Sequence, residues 1–186
     1  GNWEDINGAS VEVDKTPPTI SGAVVEPPNA AGWHNADVVV HYVAGDLTSG
    51  VAAVTPDQTL ATEGSGFSAT GTARDNAGHL ASATVTDINL DKTAPQISIS
   101  SPEPRHYSRA EIIDFTCVTT DTLSGVNTEL MWLDGESIAN GATVASTSLP
   151  GGAHEVLVTV EDLADNQLED VVIFTTDDFV FLPTTF

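Results

Sequence analysis

Acidic residues head three short motifs, and each motif occurs twice in the chain. Asp14 opens Asp-Lys-Thr-x-Pro, which returns 77 residues later at Asp91 (91 − 14). The second motif is Asp-x-x-Ser-Gly-Val, and the third is a turn of the form Asp-x-Ala-x-x. The two copies supply nine oxygen-bearing side chains: Asp14, Asp46, Asp75 and Asn76 in the first, and Asp91, Asp121, Asp162, Asp165 and Asn166 in the second. Oxygens on loops are the ligands that Ca²⁺ takes, roughly six to eight at a time.

These acidic motifs are expected to meet at one pole of each repeated module. In a sandwich of antiparallel strands, the entry motif, the loop after the second strand and the loop between the last two strands lie at the same end. Carboxylates gathered there without a nearby Lys or Arg cost free energy unless a cation joins them. The absence of Cys/His clusters argues against Zn²⁺. The sequence therefore predicts a structural Ca²⁺ site in each module; the alternative is that Asp and Asn only close turns by bonding their own backbone.

Two tryptophans are candidates for contact with a ligand such as a sugar. Trp33 lies between Gly32 and His34 in a loop and is the candidate for a surface ligand site. Trp132 follows Met131 in an apolar run. We expect it in the core, because sandwiches of this kind often bury a tryptophan on the third strand.

Catalytic motifs are absent from the sequence. The five histidines are scattered, none lies at ligand spacing from another, and no nucleophile-elbow or comparable motif occurs. Modules of this size are not expected to hold a deep cleft for paired catalytic carboxylates. We therefore expect no enzymatic activity.

Acidic residues dominate the composition: 5 Lys and Arg stand against 27 Asp and Glu, and the formal net charge is −22. This balance excludes nucleic acid as a partner, because phosphate binding needs basic side chains, and it suits a chain that binds cations. The single cysteine, Cys117, excludes an intrachain disulfide, and we expect a buried, reduced thiol. No apolar stretch reaches the roughly 18 residues of a membrane span.

Short β-rich segments separated by Gly-, Pro- and Asn-containing turns predict an all-β fold without helices. The turns recur about every 8–12 residues, which is typical of a sandwich or barrel. The repeated motifs divide the chain into residues 1–13 as the remnant of a preceding module, 14–90 as module 1, 91–176 as module 2 and 177–186 as a C-terminal tail. Because so few residues join the modules, we expect them to lie end to end as a rod.

Taken together, the three motifs resemble those of tandem bacterial immunoglobulin-like (Big-type) repeats, which occur in surface adhesins and secreted multidomain proteins. The resemblance covers nearly the whole chain and implies two immunoglobulin-like β-sandwich modules. The third motif usually ends in Gly-Asn in this family, whereas here it ends in Gly78-His79 and Asp165-Asn166. Cys117 stands where immunoglobulin domains carry their first core cysteine, but the facing strand offers valines, so no inter-sheet bridge is expected.

Two functions fit these expectations. The first is a non-catalytic structural spacer in a bacterial extracellular or cell-surface protein, stiffened by calcium, with neighbouring repeats of the same chain as partners. The alternative is an adhesion or carbohydrate-binding module that accompanies a secreted enzyme and contacts a cell-surface glycan or protein. Duplication of the junction motifs favours the spacer, because a ligand site would show an unrepeated aromatic or polar cluster.

Overall fold

The computed structural model of the chain describes residues 13–178. Two expectations fall almost entirely on other residues. The remnant of a preceding module (1–13) lies outside the described residues except for Val13, and the tail (177–186) lies outside them except for Asp177 and Asp178.

The described residues form two compact units. Unit 1 comprises residues 13–27, 38–60 and 66–88. Unit 2 comprises residues 89–178 together with two shorter segments, 28–37 and 61–65.

Unit 1 is built mainly from six strands: β1 (Thr19–Val24), β2 (Val38–Gly45), β3 (Val51–Val54), β4 (Gln58–Leu60), β5 (Gly64–Asp75) and β6 (Leu80–Leu90). They form two three-stranded sheets, with the orders β1-β2-β4 and β3-β5-β6. The alternation of β2 shows why these residues form strands. Val38, Val40 and Tyr42 are buried at every second position, as one face of a strand requires.

Unit 2 is built from eight strands: β7 (Gln96–Ser101), β8 (His106–Tyr107), β9 (Ile112–Thr120), β10 (Val126–Leu133), β11 (Glu136–Ile138), β12 (Ala142–Ala145), β13 (Gly152–Asp162) and β14 (Gln167–Thr176). One sheet has the order β12-β9-β7, and the other has the order β11-β10-β13-β14-β8. The short strand β8 pairs in parallel with β14. A 3₁₀ turn at Ser146–Ser148 is the one helical segment within residues 13–178.

The predicted all-β class is confirmed. With the short strand β8 left out of the count, unit 2 pairs its first, second and fifth strands in one sheet and its third, fourth, sixth and seventh in the other, as immunoglobulin-like sandwiches do. Unit 1 has six strands and pairs its first, second and fourth in one sheet and its third, fifth and sixth in the other. Over the part of the chain that the structure describes, no helix is long and apolar enough to cross a membrane.

The core of unit 2 lies between its two sheets. Ile113, Phe115 and Cys117 alternate along β9, and Val156 and Val158 alternate along β13, each at most 6% exposed. The thiol of Cys117 is free and buried, as expected from the sequence, and valines occupy the facing strand. Hydrophobic packing across the sheets therefore stands where other sandwiches carry a disulfide.

The expectation that Trp132 lies in this core is wrong. Met131 is 3% exposed and belongs to the core cluster, whereas Trp132 is half-buried. Successive side chains of a strand point to opposite faces, so only one of these two neighbours can face the core. The register places Trp132 opposite Leu157, whose neighbours Val156 and Val158 face inward. Trp132 and Leu157 therefore share the outer face of the sheet.

Tyr42 fills the space between the sheets of unit 1, and two glycines make room for its ring. A Cβ on Gly22 of β1 would lie 2.7 Å from Tyr42 Cε1. A Cβ on Gly71 of β5 would overlap the ring itself, with Tyr42 Cγ only 2.6 Å away. Rotation of the ring cannot relieve this contact, because the contact includes Cγ, the atom through which the ring is attached to the rest of the side chain. Glycine is therefore required at position 71 for close approach.

We expect Gly71→Ala to destabilise unit 1 by about 1–3 kcal/mol, because an added methyl group overpacks the site against Tyr42. Chemical denaturation monitored by circular dichroism measures the change. Ser68→Ala on the exposed face of the same strand is the control and is expected to stay within about 0.5 kcal/mol of the parent. Equal stability of the Gly71→Ala variant and the parent would show that the ring is not held at this place.

We expect the Cys117 thiol to react about a hundredfold more slowly with an aromatic disulfide reagent at pH 8 in the native protein than in denaturant. Burial, together with the charge and hydrogen bond of Glu129, raises the pKa of this thiol to about 11, and the thiolate is the reactive form. The absorbance of the released thiolate gives the rate directly. Similar rates in both states would contradict the burial of this side chain.

Candidate metal centres

The turn that joins β13 to β14 in unit 2 is closed by the side chain of Asp162. Its Oδ1 accepts the backbone N–H groups of Ala164 (2.8 Å) and Asn166 (2.9 Å). Its Oδ2 accepts the side-chain amide of Asn166 at 2.8 Å. Asp165 occupies the left-handed position of the turn, with φ 66°. Asp and Asn are favoured in such turns because their side chains bond the local backbone.

The loop between β9 and β10 is closed in the same way by Asp121. Its Oδ1 accepts the N–H groups of Leu123 (3.0 Å) and Gly125 (2.6 Å). Gly125 has a φ of 86°, a left-handed conformation that glycine adopts without strain. The motif Asp-x-x-Ser-Gly is therefore a turn that needs both its aspartate and its glycine.

Asp91 joins these two loops. Its Oδ1 accepts Thr93 N–H at 3.0 Å, and its Oδ2 accepts Ser124 N–H at 3.0 Å. One ligand oxygen from each of Asp91, Asp121 and Asp162 lies within 4.8 Å of the other two. Asp91 and Asp162 are fully buried. We call these three carboxylates the unit 2 centre.

The unit 2 centre retains acceptor capacity that the protein does not fill. Within residues 13–178, Asp121 Oδ2 accepts no hydrogen bond, Asp162 Oδ2 accepts one, and each oxygen of Asp91 accepts one. A carboxylate offers about four lone-pair sites. Among the described residues, no Lys, Arg or His nitrogen forms an ion pair with any of the three. Like charges held this close in a buried place repel each other, so the electrostatics favour a cation.

Ser124 provides a second sign that this centre is incomplete. The residue is 7% exposed, its backbone N–H donates to Asp91, and its Oγ has no hydrogen-bond partner among the residues that the structure describes. A buried hydroxyl without a partner costs about 1–3 kcal/mol. An oxygen-only donor set is the chemistry of Ca²⁺ and not of Zn²⁺. The residues of the unit 2 centre therefore fit a calcium ion.

The corresponding residues of unit 1 form a different group, which we call the unit 1 centre. Ligand atoms of Asp14, Asp75 and His79 lie within 4.8 Å of one another. His79 Nδ1 lies 2.9 Å from Asp75 Oδ2, and its backbone N–H donates to Asp75 Oδ1 at 2.8 Å. Ser49 Oγ donates to Asp14 Oδ2 at 2.6 Å. The imidazole and the hydroxyl thus contact oxygens whose counterparts in unit 2, Asp162 Oδ2 and Asp91 Oδ2, accept a side-chain amide and a backbone N–H.

The same contacts lower the pKa values of both carboxyl groups in the unit 1 centre. The Ser49 hydroxyl, followed by the N–H and hydroxyl of Thr16, lowers the pKa of Asp14 to about 2. Burial opposes ionisation of Asp75, but the hydrogen bonds and charge of His79 outweigh it and the pKa of Asp75 is lowered. Unit 1 therefore stabilises its carboxylates with its own side chains.

The other residues singled out in the sequence lie outside these two groups. Asp46 closes its own loop by accepting Thr48 and Ser49 N–H. The Asn76 side chain donates to the Ser49 carbonyl (2.7 Å), and Asp165 Oδ2 accepts the Asn29 side-chain amide (2.9 Å).

Asn166 supports the unit 2 centre without adding an oxygen to it. Its Nδ2 donates both to Asp162 Oδ2 (2.8 Å) and to the Asp91 carbonyl (3.0 Å). Trp33 lies in a loop and is half-buried. Its backbone N–H donates to Asn29 Oδ1 at 3.0 Å. That position gives the expected ligand site at Trp33 no further support.

Sequence reasoning did not assign roles to His79, Ser49 and Ser124. The signal for His79 was present, because alignment of the third motif sets it opposite Asn166. The two serines occupy the same place in the second motif, and nothing in the sequence distinguishes them. Their difference lies in side-chain orientation, which only the folded structure shows.

Comparison with known proteins gives structural similarity only. No family model matches the chain, and no curated protein matches it. The chain is similar to the fibronectin(III)-like modules of Clostridium thermocellum CbhA at 14% identity, with a TM-score of 0.42 over 89% of this chain and 100% of that chain. It is also similar to a structure from a 1.5-MDa bacterial ice-binding adhesin, one that concerns the retention of this adhesin on the host cell surface. The identity is 13%, and the TM-score is 0.40 over 89% of this chain and 67% of that chain. TM-scores this low do not support a conclusion about the fold or function of this chain. The assignment of the fold therefore depends on the strands and sheets described above.

We expect Ser49→Ala to raise the pKa of Asp14 from about 2 toward its ordinary value of 3.8, because it removes the largest cause of the depression. A folded-state pKa below the unfolded one stabilises the protein above pH 3.8, and this contribution is lost as the pH falls toward 2. The loss of stability over this interval should therefore be smaller in the variant.

Carbon-13 carboxyl chemical shifts followed through an acid titration measure the pKa of Asp14. Ser124→Ala is the matched control, since the Oγ of Ser124 bonds no carboxylate, and it should leave the Asp14 titration unchanged. Identical Asp14 titrations in the parent and Ser49→Ala would contradict the role given to this hydroxyl.

Proposed function

We propose that the chain is a pair of non-catalytic, immunoglobulin-like structural repeats from a bacterial extracellular or cell-surface protein, and that a structural Ca²⁺ ion stabilises the loops of unit 2. The observation that carries this proposal is the unit 2 centre, in which three carboxylates meet without a basic partner among the described residues. A spacer needs loops that keep one geometry. A bound ion provides this because it joins loops that are distant in the sequence.

The ligands of the proposed ion follow from the free acceptor sites. Asp121 would bind through Oδ2, and Asp91 and Asp162 through the oxygen positions that backbone N–H groups leave open. Water would complete the shell, since Ca²⁺ takes roughly six to eight oxygens. The ion supplies charge and no reaction chemistry. The chain's own N–H groups hold the carboxylates in place, so that little ordering remains to be done when the ion binds.

Unit 1 is proposed to bind Ca²⁺ more weakly than unit 2. His79 stands where unit 2 has Asn166, and its ring nitrogen occupies an oxygen of Asp75. In the same way, Ser49 Oγ donates a hydrogen bond to Asp14 Oδ2. The matching oxygens of unit 2 also accept one hydrogen bond each, so the difference lies in the carboxylates: the unit 1 centre holds two and the unit 2 centre holds three. A calcium ion in unit 1 would therefore gain one carboxylate fewer.

A catalytic role finds little support in the buried polar groups of unit 2. Asp134, His154 and Thr176 follow one another through hydrogen bonds in the order of a hydrolytic triad: Asp134 Oδ2 lies 2.7 Å from His154 Nδ1, and His154 Nε2 lies 3.0 Å from Thr176 Oγ1. However, Thr176 Oγ1 donates its proton to the Pro150 carbonyl at 2.6 Å. His154 and Thr176 are both 4% exposed, so a substrate has no access to the hydroxyl. These groups tie the end of β14 to the loop that precedes β13.

We expect removal of calcium with a chelator to lower the melting temperature of unit 2, and readdition to restore it. An ion present at a hundredfold excess over its Kd adds about 2.7 kcal/mol of stability, which corresponds to roughly 10–20 °C for a domain of this size. Asp121→Asn should abolish this dependence, because it keeps the Oδ1 acceptor of the loop and removes the charge at Oδ2. Differential scanning calorimetry measures the effect, and isothermal titration gives the stoichiometry.

Asp165→Asn is the matched control for Asp121→Asn. It removes the same charge from a nearby turn but lies outside the unit 2 centre, and Asn also accepts a left-handed conformation. The control should retain the full calcium effect. A melting temperature that does not respond to chelation, or an equal loss of response in both variants, would refute calcium binding at this centre.

A further inference from the structure

Unit 2 exposes a row of apolar side chains on the outer face of its five-stranded sheet. Trp132 on β10 stands opposite Leu157 on β13, and Leu157 stands opposite Val171 on β14. Leu130, two residues before Trp132, lies on the same face. Val171 is 46% exposed and Leu130 is 51% exposed. The outer face of an antiparallel sheet is ordinarily polar, so a continuous apolar row around a tryptophan marks an interaction surface.

Two shallow hollows adjoin Trp132 on this face. One has a volume of about 330 Å³ and includes Leu157, Thr159, Glu155 and Glu169 in its lining. The other has a volume of about 270 Å³ and shares Trp132, Thr159 and Glu169 with the first. The hollows follow one another along β13, so a single extended ligand can occupy both.

All the charged groups that line the two hollows are carboxylates. Glu155 and Glu169 are exposed, and the side chain of neither makes a hydrogen bond or an ion pair within residues 13–178. Glu161 joins the lining of the second hollow and accepts the side-chain amide of Asn127 at 3.2 Å. In the part of the chain that the structure describes, no Lys, Arg or His lines either hollow. A complementary ligand must therefore bring hydrogen-bond donors and positive charge.

Trp132 adds a second property that selects a cation. The face of an indole ring attracts an ammonium or guanidinium group more strongly than other aromatic side chains do. The aliphatic stems of Lys and Arg also cover apolar surface while their charged ends stay in water. Leu130, Leu157 and Val171 supply that surface, and the glutamates supply the counter-charge at its rim.

We propose that this surface, the Trp132 face (Leu130, Trp132, Glu155, Leu157, Glu169 and Val171), binds a basic, extended segment of a partner protein. Lysine or arginine side chains lie in the hollows, with their stems against the apolar row and their charged ends near Glu155 and Glu169. The charge of −22 excludes nucleic acid and other polyanions from this face. The proposal goes beyond the structural role given above and does not depend on bound calcium.

The test uses the whole chain, labelled with ¹⁵N and saturated with calcium, titrated with a synthetic heptapeptide of alternating serine and lysine. We expect the indole N–H of Trp132 and the amides of β10, β13 and β14 to shift, and binding to weaken at least fivefold when salt is raised from about 0.05 M to 0.5 M. Trp132→Leu, and the double variant Glu155→Gln with Glu169→Gln, should each weaken binding about tenfold. The same peptide with glutamine in place of lysine should not bind.

The control for charge is the double variant Glu26→Gln with Glu136→Gln. Both glutamates are exposed and lie outside the hollows, so this variant removes the same net charge. It should bind like the parent. Equal weakening by the two double variants would show a non-specific charge effect and overturn the proposal.

A neutral hexasaccharide of glucose is titrated in parallel. Binding of this glycan to the Trp132 face more tightly than the lysine peptide, without sensitivity to the two glutamates, would also overturn the proposal and indicate a sugar site. The calcium-dependent melting of the Trp132 and glutamate variants is measured in the same series. It should remain that of the parent, so the failure of this proposal would leave the calcium centre untouched.

Discussion

Carboxylates that accept backbone N–H groups hold the loops on which both candidate centres depend. In unit 2, Asp121 closes one loop and Asp162 closes another. Asp91 joins them, because its side chain accepts Ser124 N–H from the first loop and its carbonyl accepts the Asn166 side-chain amide from the second. Hydrogen bonds to an ionised acceptor are about twice as strong as neutral ones. The loops are therefore ordered by charged groups, and the groups that order them also repel one another. A bound cation would remove that conflict, which connects the turn chemistry with the metal chemistry of the same residues.

The two units resolve this conflict by different means, although their loops share one hydrogen-bonding pattern. Asp75 N–H bonds the His79 carbonyl at 3.2 Å, and Asp162 N–H bonds the Asn166 carbonyl at 3.1 Å. The residue at the end of the turn then decides the chemistry. The imidazole of His79 brings a titratable ring to its carboxylate, whereas the amide of Asn166 remains neutral. One substitution in a repeated motif thus replaces an amide contact to the carboxylate with an imidazole contact without altering the turn.

Unit 2 also separates its apolar side chains into two groups with different roles. Met131 and its inward neighbours form a dense core, and no disulfide supports them because Cys117 is the only cysteine. The outer row around Trp132 contributes less to that core, since its members stay partly exposed. Carboxylates next to this row would favour partners of opposite charge. The proposed role of the Trp132 face would thus make the negative charge of the chain relevant to recognition.

Local patterns in the sequence by themselves determined the strands and the repeat. The short β-rich segments expected from the sequence are observed as strands such as β9 (Ile112–Thr120), because alternating side chains and turn residues act over a few positions. The meeting of the three acidic motifs also followed from the alternating strand directions. Only the tertiary structure decided which face Trp132 occupies and that the two-residue strand β8 pairs in parallel with β14. It also decided that Ser124 Oγ is left without the partner that Ser49 finds. These features depend on register and side-chain orientation, which are set by contacts between residues distant in the sequence.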